Sequence, residues 1–190
     1  VGYDEDKIIF GEQNPEYVQR ELQWYESQSL YVKDIPGKVP EIWEKVASHD
    51  GTINSNYGFL IWSYENYHQY ANVVEELKKN SDSRRAIMIY TRPSMHYDYN
   101  RDGMSDFVCT NTVQYLIRNE ELIAIVNMRS NDAIFGFRND FFWQKHVQMK
   151  LSKELGIPCG DIIWQTGSIH IYERHFFYVD HFAKTGYVSI

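Results

Sequence analysis

The chain has 190 residues, a formal net charge of −7, 43% hydrophobic and 16% aromatic residues, a composition that fits a globular chain with a proper core and excludes a disordered one. That acidic balance argues against coating of nucleic acid, which needs a broad basic face, so direct DNA binding is not expected. No run approaches the ~18 apolar residues of a membrane span, no signal-peptide pattern opens the chain, and the cysteines Cys109 and Cys159 cannot build a disulfide framework, so a reducing, cytoplasmic setting is expected.

No repeat, low-complexity tract or Gly/Ser linker divides the sequence, which reads as a single α+β domain over residues 1–190. It begins at Val1 without an initiator Met, as a processed or truncated N-terminus would. Asn14-Pro15 predicts an N-cap and first helical residue for a helix reaching about Gln28. Pro40 predicts the opening of a short helix carrying Trp43 and Val46. Asp50-Gly51 marks a turn, and Asn54-Ser55-Asn56-Tyr57-Gly58 reads as a polar loop.

From Glu65 to Lys79, Tyr67, Tyr70, Val74 and Leu77 recur at spacings of three and four, which predicts an amphipathic helix stopping at Asn80. Arg85–Tyr90 reads as a strand. Val113–Ile117 and Leu122–Val126, flanking Asn119-Glu120-Glu121, predict an antiparallel hairpin. Asn139 or Asp140 is expected to cap a helix with the stripe Trp143, Val147, Leu151 and Leu155, ended by Gly156. Ile162–Trp164 and Ile169–Tyr172 read as strands, and Arg174–Lys184 as a last helix. These elements imply a mixed or antiparallel sheet with helices packed on one face.

Several residues admit both a structural and a chemical reading. Cys109 is either a small buried hydrophobe or a nucleophile, and its polar neighbours Thr110, Asn111, Thr112 and Gln114 favour the second if arginines supply positive charge. Cys159, in an Ile-Pro-Cys-Gly loop, keeps the structural reading. Arg129-Ser130 follows an apolar strand and pairs a donor fork with a hydroxyl, as a phosphate monoester requires, or else makes a surface salt bridge. Arg84-Arg85 stand at a helix-to-strand junction as an anion site or a solvated corner. Glu21 sits at the edge of an apolar helix face. His170 and Tyr172 alternate on one strand face and can point to the same side. The histidines and cysteines show no metal-ligand spacing, and the glycines fit no phosphate loop or dinucleotide fingerprint.

Taken together, these segments resemble the thymidylate synthase family. Cys109 with Gln114-Tyr115 is similar to its nucleophile segment. Arg129-Ser130-x-Asp132-x-x-x-Gly136-x-x-Asn139-Asp140 is similar to its phosphate, folate and base-reading segment. Gly167-Ser-Ile-His170-Ile-Tyr172-Glu-Arg-His175 is similar to its sugar-binding strand. Glu21-Leu-x-Trp-Tyr, Ile42-Trp43 and Asn56-Tyr57-Gly58 match earlier landmarks. Within the family the chain resembles the branch of T-even-like bacteriophages that acts on deoxycytidylate, through Tyr31–Gly37, Ser83–Met95 and Cys109–Arg118.

The resemblance implies an α+β synthase-like fold, a dimer through the sheet, a phage protein acting in the host cytoplasm, and 5,10-methylenetetrahydrofolate as cosubstrate with no metal. It implies that Cys109 adds to pyrimidine carbon 6 and that Arg129 and Ser130 hold the phosphate, with Arg84 and Arg85 given by the second subunit. Asn139, Tyr57, His170 and Tyr172 would bind the nucleotide. Asp132, Trp43 and Gly136 would meet the pterin, and Glu21 would order water and relay protons. Synthases carry Asn where this chain has Asp140. A carboxyl sharing one proton with the ring nitrogen matches cytosine, not uracil, so dCMP is the expected substrate, with hydroxymethyl transfer by water capture. Thr110-Asn111 stand where synthases usually have His after the nucleophile. The family's N-terminal phosphate arginine is not seen after Val1, and the stretch up to Ile190 is shorter than the family's, which bears on lid closure. The alternatives are a thymidylate synthase, a dUMP or CMP hydroxymethylase, and a non-catalytic nucleotide- or RNA-binding regulator.

Overall fold

A proline suits the first helical position, and α1 (Pro15–Ser27) begins on one. Val18, Leu22 and Tyr25 recur at helical spacing and are buried, with Glu21 and Trp24 buried beside them. The computed structural model describes residues 15–186. The expected cap Asn14, the start at Val1 and the stretch ending at Ile190 lie outside the described residues. Helix α2 (Glu41–Val46) follows Pro40 as expected.

The stretch expected to be a polar loop, Asn54 to Gly58, is a correction. Only its first part is loop, and that part is buried, with Asn56 fully enclosed. Tyr57 and Gly58 open helix α3 (Tyr57–Trp62). The Asn56 carboxamide oxygen accepts from the Phe59 N–H at 2.8 Å, capping α3, while its Nδ2 donates to the carbonyls of Trp24 and Ser29 at 2.9 Å. A Cβ on Gly58 would overlap the Tyr25 carbonyl, so only glycine lets α3 lie this close to α1.

The next helix, α4 (Gln69–Lys79), starts four residues later than the expected Glu65. Tyr67 and His68 take left-handed backbone angles (φ 61° and 48°), which no helix interior admits, so Tyr67 is exposed and off the apolar stripe. Tyr70, Val73, Val74 and Leu77 form that stripe. Strand β1 (Ile87–Ile89) is shorter than the run Arg85–Tyr90, and a single-turn helix, α5 (Met95–Asp98), follows it.

The expected hairpin is present and longer than its apolar runs. β2 (Thr110–Arg118) and β3 (Glu121–Met128) pair antiparallel, with Arg118 opposite Glu121. Only Asn119 and Glu120 turn, both at positive φ (52° and 65°), which is the two-residue turn whose twist fits a hairpin. β3 then runs through β4 (Asn131–Asp132) into α6 (Gly136–Leu155), which crosses back to β5 (Cys159–Thr166), parallel to β3. Cys159 opens this strand and is not a loop residue. The sheet order is β1-β2-β3-β5, and β4 pairs in parallel with β6 (Ile169–His170). A one-turn helix, Glu173–His175, leads into α7 (Phe176–Thr185).

Neither Asn139 nor Asp140 caps α6, as had been expected. The helix begins at Gly136, and the carboxylate of Asp132 accepts the N–H groups of Ile134, Phe135 and Gly136 at 3.2, 3.2 and 3.3 Å. An acidic group before a helix start satisfies donors that have no intrahelical partner, so the cap lies upstream and frees Asp140 for a position inside the first turns. Gly156 ends α6 in the left-handed conformation (φ 70°).

Register decides which sheet face is covered. Met88, Val113, Tyr115, Leu122, Ala124 and Val126 are buried beneath α3, α4 and α6, with α1 packed on α3 and α6. Ile87, Gln114, Ile125 and Ile163 stand opposite one another on the other face, with Leu116 paired to Ile123. No helix covers that face among the described residues, and Ile87, Ile89 and Ile163 are exposed.

Candidate active site

Cys109 immediately precedes β2, where the pairing with β3 slips between Thr110 and Thr112. Such a bulge turns the strand locally and re-aims the side chains beside it. The Arg129 backbone N–H donates to the Cys109 carbonyl at 2.9 Å, tying the end of β3 to this corner. The exposed Arg129 guanidinium donates to the Phe107 and Val108 carbonyls at 2.6 and 3.0 Å, lies 4.6 Å over the Phe107 ring, and places Nη2 3.6 Å from the Cys109 sulfur. Burial pushes the half-buried Cys109 thiol up to about 11, the charge of Asp140 adds to this, and Arg129 works against both. The thiol is therefore neutral at rest near pH 7.

The neighbouring Ser130 hydroxyl lies 3.4 Å from His170 Nδ1. Pairing of β4 with β6 sets Asp132 opposite His170. Tyr172 lies beyond the end of β6 rather than in it, yet its ring stands at 90° to that of His170 with centroids 5.0 Å apart. The expected pairing of these side chains thus survives a shorter strand.

Asp140, in the second turn of α6, accepts from Asn131 Nδ2 at 2.8 Å, and the Tyr57 hydroxyl is a polar neighbour that favours its charged form. Burial raises its carboxyl to about 8, the nearby Glu21 raises it further, and the Tyr57 and Asn131 donors oppose them. Glu21 is 6% exposed and accepts from the Tyr17 hydroxyl at 2.5 Å, with Trp43 and Tyr25 as polar neighbours that favour its charged form. Burial takes it to about 7 despite those donors. Between the carboxyls, the Tyr25 and Tyr57 rings stack at 5.5 Å, and both hydroxyls are pushed up by burial. Tyr57 also accepts from Thr110 Oγ1 at 3.1 Å, linking the carboxyl pair to the bulge beside Cys109.

The structure brings together Cys109, Arg129, Ser130, Tyr57, Asp140, Glu21, His170 and Tyr172. Trp43 joins through its Nε1, which donates to the Tyr17 hydroxyl at 3.2 Å. Asp132 and Gly136 adjoin them at the start of α6. A Cβ on Gly136 would lie 3.1 Å from the Asp132 Cβ and 3.9 Å from Asp140 Oδ2, so bare backbone faces the site there. Asn139 is half-buried on the same helix. Arg84 and Arg85 are not brought in within this chain. They are exposed at the start of edge strand β1, where Arg85 pairs with Glu76 at 3.0 Å.

Sequence reasoning missed four polar groups. Tyr17 and Tyr25 hold Glu21, and Asn131 holds Asp140. The fourth, Asp106, is buried and accepts from the Asn54 and Ser55 N–H groups at 2.7 and 2.8 Å and from the Ser55 hydroxyl at 2.6 Å. Its charge acts on both Arg129 and Cys109. The enclosed polar run Asn54-Ser55-Asn56 was the available signal, because buried N–H groups require an acceptor. Among the described residues no group of three or more His, Cys, Asp or Glu could hold a metal, and no helix is long and apolar enough to cross a membrane.

Residues 13–185 match the family model for thymidylate synthase. The deoxycytidylate 5-hydroxymethyltransferases of Enterobacteria phages T6 and T4 are 61% and 60% identical over 98% of this chain and 78% of each relative. A protein named as a putative thymidylate synthase of Methanocaldococcus jannaschii is 32% identical over 78% of this chain and 72% of its own length. Among solved structures, the thermostable thymidylate synthase A from Bacillus subtilis superposes with a TM-score of 0.73 at 24% identity, over 94% of this chain and 66% of that one. At that identity the superposition speaks for the fold alone.

Proposed function

This chain belongs to the thymidylate synthase family, and from that premise we propose that it is a dCMP hydroxymethylase acting as one catalytic domain. It transfers the one-carbon unit of 5,10-methylenetetrahydrofolate to carbon 5 of dCMP. The observation that carries this reading is Asp140, a carboxyl held near 8 beside the candidate nucleophile. At pH 7 it is a neutral acid and donates to the acceptor nitrogen of cytosine, while its second oxygen accepts from the exocyclic amino group.

Position supports each remaining role. Cys109 Sγ attacks carbon 6, and the electron pair displaced toward carbon 5 makes that carbon the nucleophile. Arg129 and Ser130 take the phosphate, the guanidinium exchanging carbonyl partners for a doubly charged anion. His170 and Tyr172 take the sugar hydroxyl, and Tyr57 and Asn139 complete the nucleotide side. Glu21, near 7 within its cage of Tyr17, Tyr25 and Trp43, exchanges a proton at neutral pH and orders water.

The folate fits what lies at the start of α6. Gly136 offers bare backbone and Asp132 a carboxylate for a pterin N–H edge, while Trp43, beside Glu21, offers an aromatic face. When bound, it supplies a carbon at the formaldehyde oxidation level to carbon 5. Loss of the carbon 5 proton and departure of tetrahydrofolate would leave a methylene group on the nucleotide, and water adding to it as Cys109 Sγ leaves carbon 6 would give 5-hydroxymethyl-dCMP. The exposed isoleucines of the uncovered sheet face support a homodimer through that face, with Arg84 and Arg85 reaching the partner's phosphate site.

Incubation with dCMP and methylenetetrahydrofolate, followed by mass spectrometry of the nucleotide, tests the reading. A product heavier by one CH2O unit is expected. A 5-methyl nucleotide formed with dihydrofolate would mean hydride capture, as in a synthase, and would refute it.

A further inference from the structure

Asn131 lies between Ser130 and Asp132, is 2% exposed, and has no part in the function proposed above. Its two polar ends are both engaged. The Trp164 indole Nε1 donates to Oδ1 at 3.2 Å, and Nδ2 donates to Asp140 Oδ2 at 2.8 Å. An indole nitrogen can only donate, so a reversed carboxamide would set two donors against each other beside Trp164. The amide of Asn131 is thereby fixed, and residue 140 always faces an N–H donor. Tyr57 imposes no such direction. It accepts from Thr110 Oγ1, and a hydroxyl beside Asp140 can turn to donate or to accept.

Resting on the reading that Asp140 contacts the base, we infer that Asn131 is the positioning residue that fixes which pyrimidine edge this site can match. It excludes uracil even when residue 140 is an amide. The oxygen facing Asn131 must accept, so the acid's proton sits on the other oxygen, Oδ1. Oδ1–H meets the cytosine ring nitrogen, and Oδ2 accepts from the amino group with its second lone pair. Uracil reverses the pattern, presenting a ring N–H and an oxygen. An asparagine at 140 would have to place its NH2 where Oδ2 now lies, directly against the NH2 of Asn131. The flipped amide would satisfy Asn131 and mismatch uracil. Either way one buried donor goes unpaired.

The test compares kcat/KM for dUMP and dCMP in D140N alone, in N131D/D140N and in W164F/D140N. N131D turns an acceptor toward residue 140, and W164F lets the Asn131 amide reverse without touching residue 140. Each second substitution is expected to raise the dUMP:dCMP ratio by about tenfold or more over D140N, carried by KM, because it relieves an unpaired buried donor. General structural damage would lower both substrates together and leave the ratio alone. If D140N shifts the ratio and both double variants stay within about twofold of it, the inference about Asn131 is wrong while the role of Asp140 stands. If the ratio stays native in all three proteins, the reading of Asp140 fails first and takes the inference with it. Should N131D prove unstable, the W164F arm decides alone.

Discussion

Binding of dCMP should weaken above pH 8 by an amount set by Asp140. In the proposed complex one proton is shared between the Asp140 carboxyl and the cytosine ring nitrogen. With the carboxyl near 8, the free protein already carries that proton at pH 7 and has lost it at pH 9. The fraction still protonated falls from about 0.9 at pH 7 to about 0.5 at pH 8 and about 0.1 at pH 9, so Kd rises roughly tenfold between pH 7 and pH 9. Proton uptake per nucleotide bound should climb over the same range from about 0.1 to about 0.9. The nucleotide phosphate, with a second pKa of about 6, adds no step in this window. Calorimetry on C109S, in two buffers of different ionisation enthalpy, reads both quantities without titration of the thiol. D140N should abolish the uptake. A flat affinity from pH 7 to pH 9 with no proton taken up would refute the neutral-acid reading.

C109S should lose exchange of the carbon 5 hydrogen of dCMP by roughly 10³-fold or more, while Kd stays within a few-fold. Retained exchange, followed by tritium release, would remove Cys109 from the chemistry. Glu21 is held near 7, above its usual 4.5, so the folded state prefers its protonated form and stability falls as pH rises from about 4.5 to 7. The cost is up to about 3 kcal/mol at pH 8, and E21Q should regain much of it in urea denaturation, with the gain vanishing below about pH 4.5. G136A forces its new methyl toward Asp132, and should cost about 1–2 kcal/mol and raise KM for the folate more than for dCMP. I125E places a charge at the centre of the uncovered sheet face. It should yield monomers in analytical ultracentrifugation, with activity lost and the circular dichroism of the folded chain retained.

Helices α1, α4 and α6 and the β2–β3 hairpin were readable because each carries its own apolar periodicity and a local stop, such as Gly156 or Asn119-Glu120. Helix α3 was not, because Asn-Ser-Asn-Tyr-Gly is turn chemistry in isolation. It becomes helical only where Asn56 caps it and Gly58 fits under the Tyr25 carbonyl. The start of α6 was misplaced for a related reason, since the capping carboxylate comes from Asp132, before the helix, and not from the Asn139-Asp140 pair. At the site, Cys109, Arg129, Asp140 and His170 stood out through family-like segments. The groups that tune them did not. Asp106 meets Asn54 across 52 residues of chain and Thr110 meets Tyr57 across 53, and no local pattern records such a partnership.

On the proposed reading, the coupling between Asp140 and Cys109 gives the acid a second use beyond matching a base edge. An ionised Asp140 raises the thiol, and Arg129 lowers it. In the proposed dCMP complex the shared proton keeps that carboxyl neutral, as it already is near pH 7, so Arg129 is less opposed than it would be beside an ionised Asp140. A uracil ring presents N–H at the same place and favours the carboxylate, which keeps the sulfur protonated. The wrong base would therefore be bound poorly and also leave the nucleophile unprepared. A fixed amide at 140 could supply hydrogen-bond matching, but it could not switch charge beside the sulfur. Burial and Glu21 hold Asp140 near 8, so it is the neutral acid at pH 7, and a base that favoured its carboxylate would switch a charge on beside the sulfur.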